Sequence, residues 1–459
     1  MRSVPLILLL GAAVALVPAS AESQTVSPFM RGVPSGTATT DSINLTILDV
    51  INRALEHNLG SITAQEAVAR AEGGKWLANG MLPNINGHVA ETRQLINLAA
   101  YGFPLPAGIP SIVGPFNVFD ARVTLSQAIL DFKAMNDLKA AQHNVEAEKF
   151  SYKGTRDLVV LFAADAYLKA LAAGSRAQSA HAQVDTAQAL FTQATDMKTS
   201  GLVAGIDVLR ADVQLSTERQ RATAADNEYE KAKLSVAHLI GLPIGQAFKL
   251  VDALPDVPIP EMTLQEALDR AYHDRPDYQA ALERLHAAEA ARSAAGGENL
   301  PSVHLNADYG ALGLTVGTSH DTYAVTGTVS VPIFNGGKTK GLELQADSDL
   351  RMRKAEADEL KATIYYDIRT AFLDLQANGE QLEVATRARD LAATTLAQAR
   401  DRFAAGVANN IEVIQAQEAV AMANEQHIMA LYQFNVSKAV LARGLGTAEE
   451  ATRRYLGGT

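Results

Sequence analysis

The chain states most of its content twice, in the same order. "LTILDVINRALEHN" (Leu45–Asn58) is answered by "MTLQEALDRAYHDR" (Met262–Arg275), and "LPNI" (Leu82–Ile85) by "LPSV" (Leu300–Val303). Further on, "SGLVAGIDVLRA" (Ser200–Ala211) is answered by "AGVANNIEVIQA" (Ala405–Ala416), and "IGL" (Ile240–Leu242) by "RGL" (Arg443–Leu445). The offset stays between about 203 and 218 residues, the mark of a tandem duplication of one large unit. Chance similarity between Ala-rich helices would not also match strand starts and turns. A Pro-rich joint, Gly241–Met262, links the copies, so the expected division is 1–21, 22–260 and 261–459.

Each copy reads as short helix, second helix, two strands, very long helix, sharp turn and returning helix. Strands are expected at about 85–94 and 116–130, then at 302–313 and 322–334. Val303, Leu305, Ala307 and Tyr309 alternate with His304, Asn306 and Asp308. Tyr323, Val325, Val329 and Val331 alternate with Ala324, Thr326, Thr328 and Ser330, and Phe119, Ala121, Val123 and Leu125 with Asp120, Arg122, Thr124 and Ser126. A period of two with one apolar side describes strands able to cross a bilayer when tilted. An open sheet of four such strands would leave unpaired edges in hydrocarbon. The smallest membrane barrels have eight strands, so several chains must share one barrel.

The stretches Phe132–Thr199 and Lys338–Ala404 contain no proline and are rich in alanine. As helices each would measure about 100 Å. The returning helices, Ile206–Ile240 and Ile411–Arg443, are only half as long. Ser61–Asn79 and Pro276–Gly296 have the missing length, so each is expected to stack end-on with a returning helix and complete a helical wall.

The first residues have the form of a secretory leader. Arg2 precedes an apolar run, Leu6–Val17, and Ala19-Ser20-Ala21 is a small-residue cleavage site, with Glu22 as the expected mature N-terminus. No cysteine follows it, so acylation is not expected, and no other apolar run near 18 residues is apparent, which argues against an inner-membrane transporter. The absence of cysteine also removes disulfides and thiol chemistry. A net charge of −11 argues against nucleic acid as a partner.

With the leader, the duplicated strand-strand-long-helix unit, "PIFNGG" at the second strand-to-helix corner and the glycine helix tips, the chain resembles the TolC-like outer-membrane efflux proteins from about Leu45 to Gly446. The resemblance implies a mainly α protein with membrane β structure: a trimer with a shared 12-stranded β-barrel above a 12-helix α-barrel tunnel in the periplasm. It implies an exit duct of a tripartite efflux or type I secretion system, in contact with outer-membrane lipid, a periplasmic adaptor and an inner-membrane transporter. It also places adaptor contact at the hairpin tips, here Ser200-Gly201-Leu202 and Ala405-Gly406-Val407. Helix capping alone would also account for the two tip glycines. A periplasmic coiled-coil adaptor without a barrel is the alternative, though it would not need strands with an apolar face.

Three other patterns need an account. "VSVPIFNGGKTKG" (Val329–Gly341) imitates a phosphate-binding loop, but the first glycine of that motif is replaced by Pro332, which has no N–H to offer. Gly336 and Gly337 are instead expected to turn the chain from strand to helix. Glu283-Arg-Leu-His286 is half of a di-iron signature; without a second copy it reads as a surface pair, and no cofactor or catalytic group is expected. Asp196 and Asp401 lie near helix C-termini, where an acid is unfavourable. They would form a carboxylate ring around the tunnel mouth, or else pair locally with Lys198 or Arg402.

Overall fold

The computed structural model describes residues 27–455 except 103–107, 109 and 256–261, so the expected leader lies outside the described residues. The strand β1 (Ile43–Leu45) leads into α1 (Ile47–His57), α2 (Leu59–Ala78), β2 (Asn84–Asn97), β3 (Ile112–Leu130), α3 (Phe132–Thr199) and α4 (Gly205–Leu239). After β4 (Phe248–Leu250) the same order returns: α5 (Leu264–Asp274), α6 (Pro276–Gly297), β5 (Ser302–Gly313), β6 (His320–Ser330), α7 (Lys338–Ala404) and α8 (Asn410–Gly444), with α9 (Ala448–Tyr455) closing. Both short helices begin with the same reciprocal cap. The Thr46 hydroxyl accepts from the Asp49 N–H at 3.2 Å while the Asp49 carboxylate accepts from the Thr46 N–H at 2.9 Å. Thr263 and Glu266 repeat it at 3.3 and 2.9 Å.

Four antiparallel strands form one sheet in the order β2-β3-β5-β6. Its register aligns the alternation across all four. One row runs Ile85, Leu125, Ala307, Val325 and the next Gly87, Val123, Tyr309, Tyr323. The row between them, on the opposite face, runs Asn86, Thr124, Asp308, Ala324. On that polar face Arg122 grips Asp120 at 2.7 Å and Asp308 at 3.3 Å. The first two strands are longer than expected, and the fourth is shorter. It ends at Ser330, paired with Ser302, so Val331 lies outside the sheet. Pro301 and Pro332 flank the last pair, and proline cannot donate to a ladder.

The helices form a wall four wide. Near the sheet it consists of α2, α3, α6 and α7; farther away α4 and α8 take the places of α2 and α6. The half-length helices meet end to end. Asn58, which caps α2, donates to the Leu239 carbonyl at the end of α4 at 3.4 Å. Gly446, just past α8, packs so closely on Asp274 and Arg275 before α6 that a Cβ there would meet the Asp274 carbonyl at 2.7 Å.

The main core lies at that junction. The parallel pair β1–β4 and α1 cover Val159, Val160, Ala163, Ala164, Tyr167 and Leu168 in the middle of α3. A smaller core joins α5 and the end of α8 to Ile364 and Ile368 of α7. The main core corrects one expectation: α3 holds an 18-residue window with a mean hydropathy of 1.5, 56% of it buried. That stretch is apolar because it is packed.

Candidate functional site

The two hairpin tips are built alike. Gly201 and Gly406 take left-handed φ values of 74° and 71°. The Gly201 and Leu202 N–H groups donate back to Lys198 and Met197 at 3.0 and 2.8 Å, the Schellman pattern. Gly406 and Val407 repeat it onto Phe403 and Arg402, both at 3.0 Å. This geometry satisfies the last carbonyls of α3 and α7 and leaves Leu202 72% and Val407 67% exposed. Ser200 and Ala405 are exposed beside them. The tips are neighbours: the Asn410 amide donates to the Asp207 carbonyl at 3.0 Å, and Leu190, Ala399, Phe403, Val413 and Ala416 bury a small core behind them.

Asp196 and Asp401 are exposed at matching positions one turn before the glycines. Neither carboxylate pairs with Lys198 or Arg402; Arg402 is drawn to Glu412 across the turn at 3.0 Å. Asp207 and Glu412 occupy the first turns of α4 and α8, where negative charge is favoured. Farther from the tip Glu218 is buried between α4 and α8. Burial pushes its carboxyl up, Arg221 opposes that, and Glu418 adds to it.

At the corner between β6 and α7, Gly336 and Gly337 have φ of 64° and 84°, with open space where a Cβ would stand. Lys338 pairs with Glu298 at 2.6 Å, and buried Thr339 accepts from Asn335, so the residues that imitate a phosphate loop hold this corner together. The other corner is made differently: Asp131 accepts from the Ala134 N–H at 2.9 Å and caps α3. Glu283 and His286 are not merely a pair. His143, from the facing α3, brings its Nδ1 to 2.7 Å from Glu283. It is 140 residues away in sequence, and no local pattern announces it.

Comparison with known proteins agrees with this architecture. The family described as Outer membrane efflux protein matches residues 113–242 and 267–447, which take in β3 to α4 and α5 to α8. The pyoverdine export outer membrane protein OpmQ of Pseudomonas putida is 23% identical over 347 residues, 72% of this chain and 71% of that protein. The alkaline protease secretion protein AprF of Pseudomonas aeruginosa is 24% identical over 364 residues, 73% of this chain and 71% of that one. The open-state Neisseria gonorrhoeae MtrE outer membrane channel shares the fold with a TM-score of 0.74 at 17% identity, covering 91% of this chain and 95% of that one. These findings favour a channel over a coiled-coil adaptor without a barrel. With both strand-to-helix units inside the matched residues, the chain belongs to the outer membrane efflux protein family, a channel of the outer membrane with its helical tunnel in the periplasm.

Proposed function

We propose that three copies of this chain assemble into one duct, 12 strands above 12 helices, that passively conducts cargo handed over at the periplasmic end. The observation that carries this reading is a set of open edges on both layers. The sheet ends in β2 and β6 with no further partner among the described residues, and its strands alternate in direction. A second copy can therefore place its β2 antiparallel to this β6 and extend the same ladder. The wall is open in the same way: Leu209 and Val213 on α4 and Leu373, Val384 and Leu391 on α7 are all more than half exposed. One closure covers both layers. The face carrying Tyr309, Tyr323 and Val325 would then meet lipid, and Arg122 with its two aspartates would face the lumen.

The tips are proposed as the docking surface for a periplasmic adaptor, since each leaves an aliphatic side chain exposed beside a rigid glycine turn. Asp196 and Asp401 are proposed to ring the mouth there. OpmQ and AprF are named for different cargoes. We therefore assign cargo choice to the inner-membrane transporter that feeds the duct, and no chemistry to the duct itself.

The test is assembly. Light scattering of the detergent-purified protein should give the mass of three chains. Val325→Arg with Val329→Arg should abolish membrane trimer, because an arginine on the lipid face costs about 2–4 kcal/mol near mid-bilayer, where Val325 sits, and Val329 nearer the strand end adds a smaller cost. A monodisperse monomer in mild detergent, or normal trimer from the double variant, overturns the shared barrel.

A further inference from the structure

We propose that His143, Glu283 and His286 form a binding site for a divalent transition metal ion of the Zn2+ class, which staples α6 to α3 in the sheet-proximal part of the wall. The three side chains come from two helices, and their donor atoms all lie within 4.8 Å of one another. His143 Nδ1 is 2.7 Å from one Glu283 oxygen, and His286 Nδ1 is 3.9 Å from the other. A tetrahedral ion with bonds of about 2.0–2.1 Å spaces its donors ~3.3 Å apart. The two gaps run to different oxygens of Glu283 and bracket that spacing, so rotations of these part-exposed side chains would bring the three donors to it. The ion would replace the direct His143–Glu283 hydrogen bond and hold both histidines through the same carboxylate.

The surroundings suit a cation. Among the described residues Glu283 pairs with these two histidines and with no lysine or arginine. The nearest cation in sequence, Arg284, is turned aside: it donates to Ser151 at 2.7 Å and to Glu148 at 3.4 Å. Those bonds also pin the register of α6 against α3. Gly297 does the same at the other end of α6, where a Cβ would stand 2.9 Å from the Lys133 nitrogen. The ligands thus sit on rigid, registered elements, as a preorganised site requires.

The donor set selects the metal. Two imidazoles and one carboxylate suit Zn2+, Co2+, Ni2+ or Cu2+, whereas Ca2+ and Mg2+ demand oxygen ligands. His143 and His286 are 40% and 48% exposed, so the ion has a path in and a water can complete its coordination. The site stands about 16 Å along α3 from the sheet and far from the tips. The ion's role is to stiffen the wall, independent of cargo and of docking.

The experiment uses the untagged full chain purified in detergent and stripped with chelator. Titration with Zn2+ should show a site of one ion per chain and a raised melting temperature. His143→Gln and His286→Gln should each weaken that site by more than the roughly 10–100-fold that loss of an outer-shell partner costs. Both variants should keep the native oligomer, outer-membrane level and metal-free melting temperature, and His304→Gln, on β5, should bind Zn2+ normally. Co2+ should occupy the site with the absorption bands of a low-symmetry, four- or five-coordinate ion. Unchanged Zn2+ stoichiometry in His143→Gln overturns the site. Displacement of Zn2+ by equimolar Ca2+ overturns the metal class.

Discussion

The helices α3 and α7 are almost the same length, 68 and 67 residues, and each runs from a strand to a glycine tip. They differ in what covers them. Seventeen residues of α3 are buried and only nine of α7, although both lead into matching hairpins. Along its length α3 has neighbours on both sides, with α2 or α4 on one and α6 or α8 on the other. By contrast α7 is the last helix of the wall. Tyr167 on α3 is wholly buried and its hydroxyl donates to the Leu45 carbonyl at 3.0 Å and to Asp252 at 2.8 Å. Tyr366 on α7 is 67% exposed. One chain supplies the environment of the first tyrosine. Under the proposed assembly another copy would supply that of the second.

Paired truncations separate the two cases, and the largest effect is expected on α3. Tyr167→Ala should lower stability by about 3–5 kcal/mol, read as a fall in melting temperature and in membrane yield, because it empties a packed site and leaves the Asp252 carboxylate with the Ile47 N–H but without the hydroxyl. Tyr366→Ala should change the stability of one chain by less than ~0.5 kcal/mol and instead shift the trimer–monomer balance in detergent. An unaltered balance would show that the exposed face of α7 is solvent in the assembly too, and the contrast would then belong to the monomer alone.

The tips sharpen the comparison, since there the two hairpins look the same. Valine at φ near +70° costs about 1–2 kcal/mol of local strain. Gly201→Val with Gly406→Val should leave outer-membrane trimer normal while export and crosslinking to the adaptor are lost, because the barrel stands about 100 Å of helix away. The single variants decide whether both hairpins dock equally; a loss from one alone would make the tips as unequal as their helices. Normal export from the double variant removes the tips from docking.

The smallest effect concerns charge. Asp196→Asn with Asp401→Asn should leave assembly and export intact and weaken block of the channel by divalent cations in planar bilayers. Among the described residues neither acid has a cationic partner to lose, so stability should hold. Unchanged block would return both residues to ordinary solvated surface.

Much of this was legible in the residues because it is local or periodic. Alternation of period two marked the apolar face of β3, β5 and β6, and freedom from proline marked α3 and α7. Small-Gly-aliphatic triplets marked both tips, and the strand count is what motivates a shared barrel, since four strands are too few to close one alone. What the tertiary structure decided depends on partners distant in sequence or on the direction of a side chain. The ladder stops at the Ser302–Ser330 pair, and Pro301 and Pro332 lie just beyond that end. The apolar middle of α3 is core, since β1, β4 and α1 fold over it. Arg402 turns to Glu412 rather than to Asp401, a choice that spacing alone left open. His143 joins Glu283 and His286 only because α6 packs antiparallel on α3 in one register, and a helix records its own periodicity but not the register of the helix it meets.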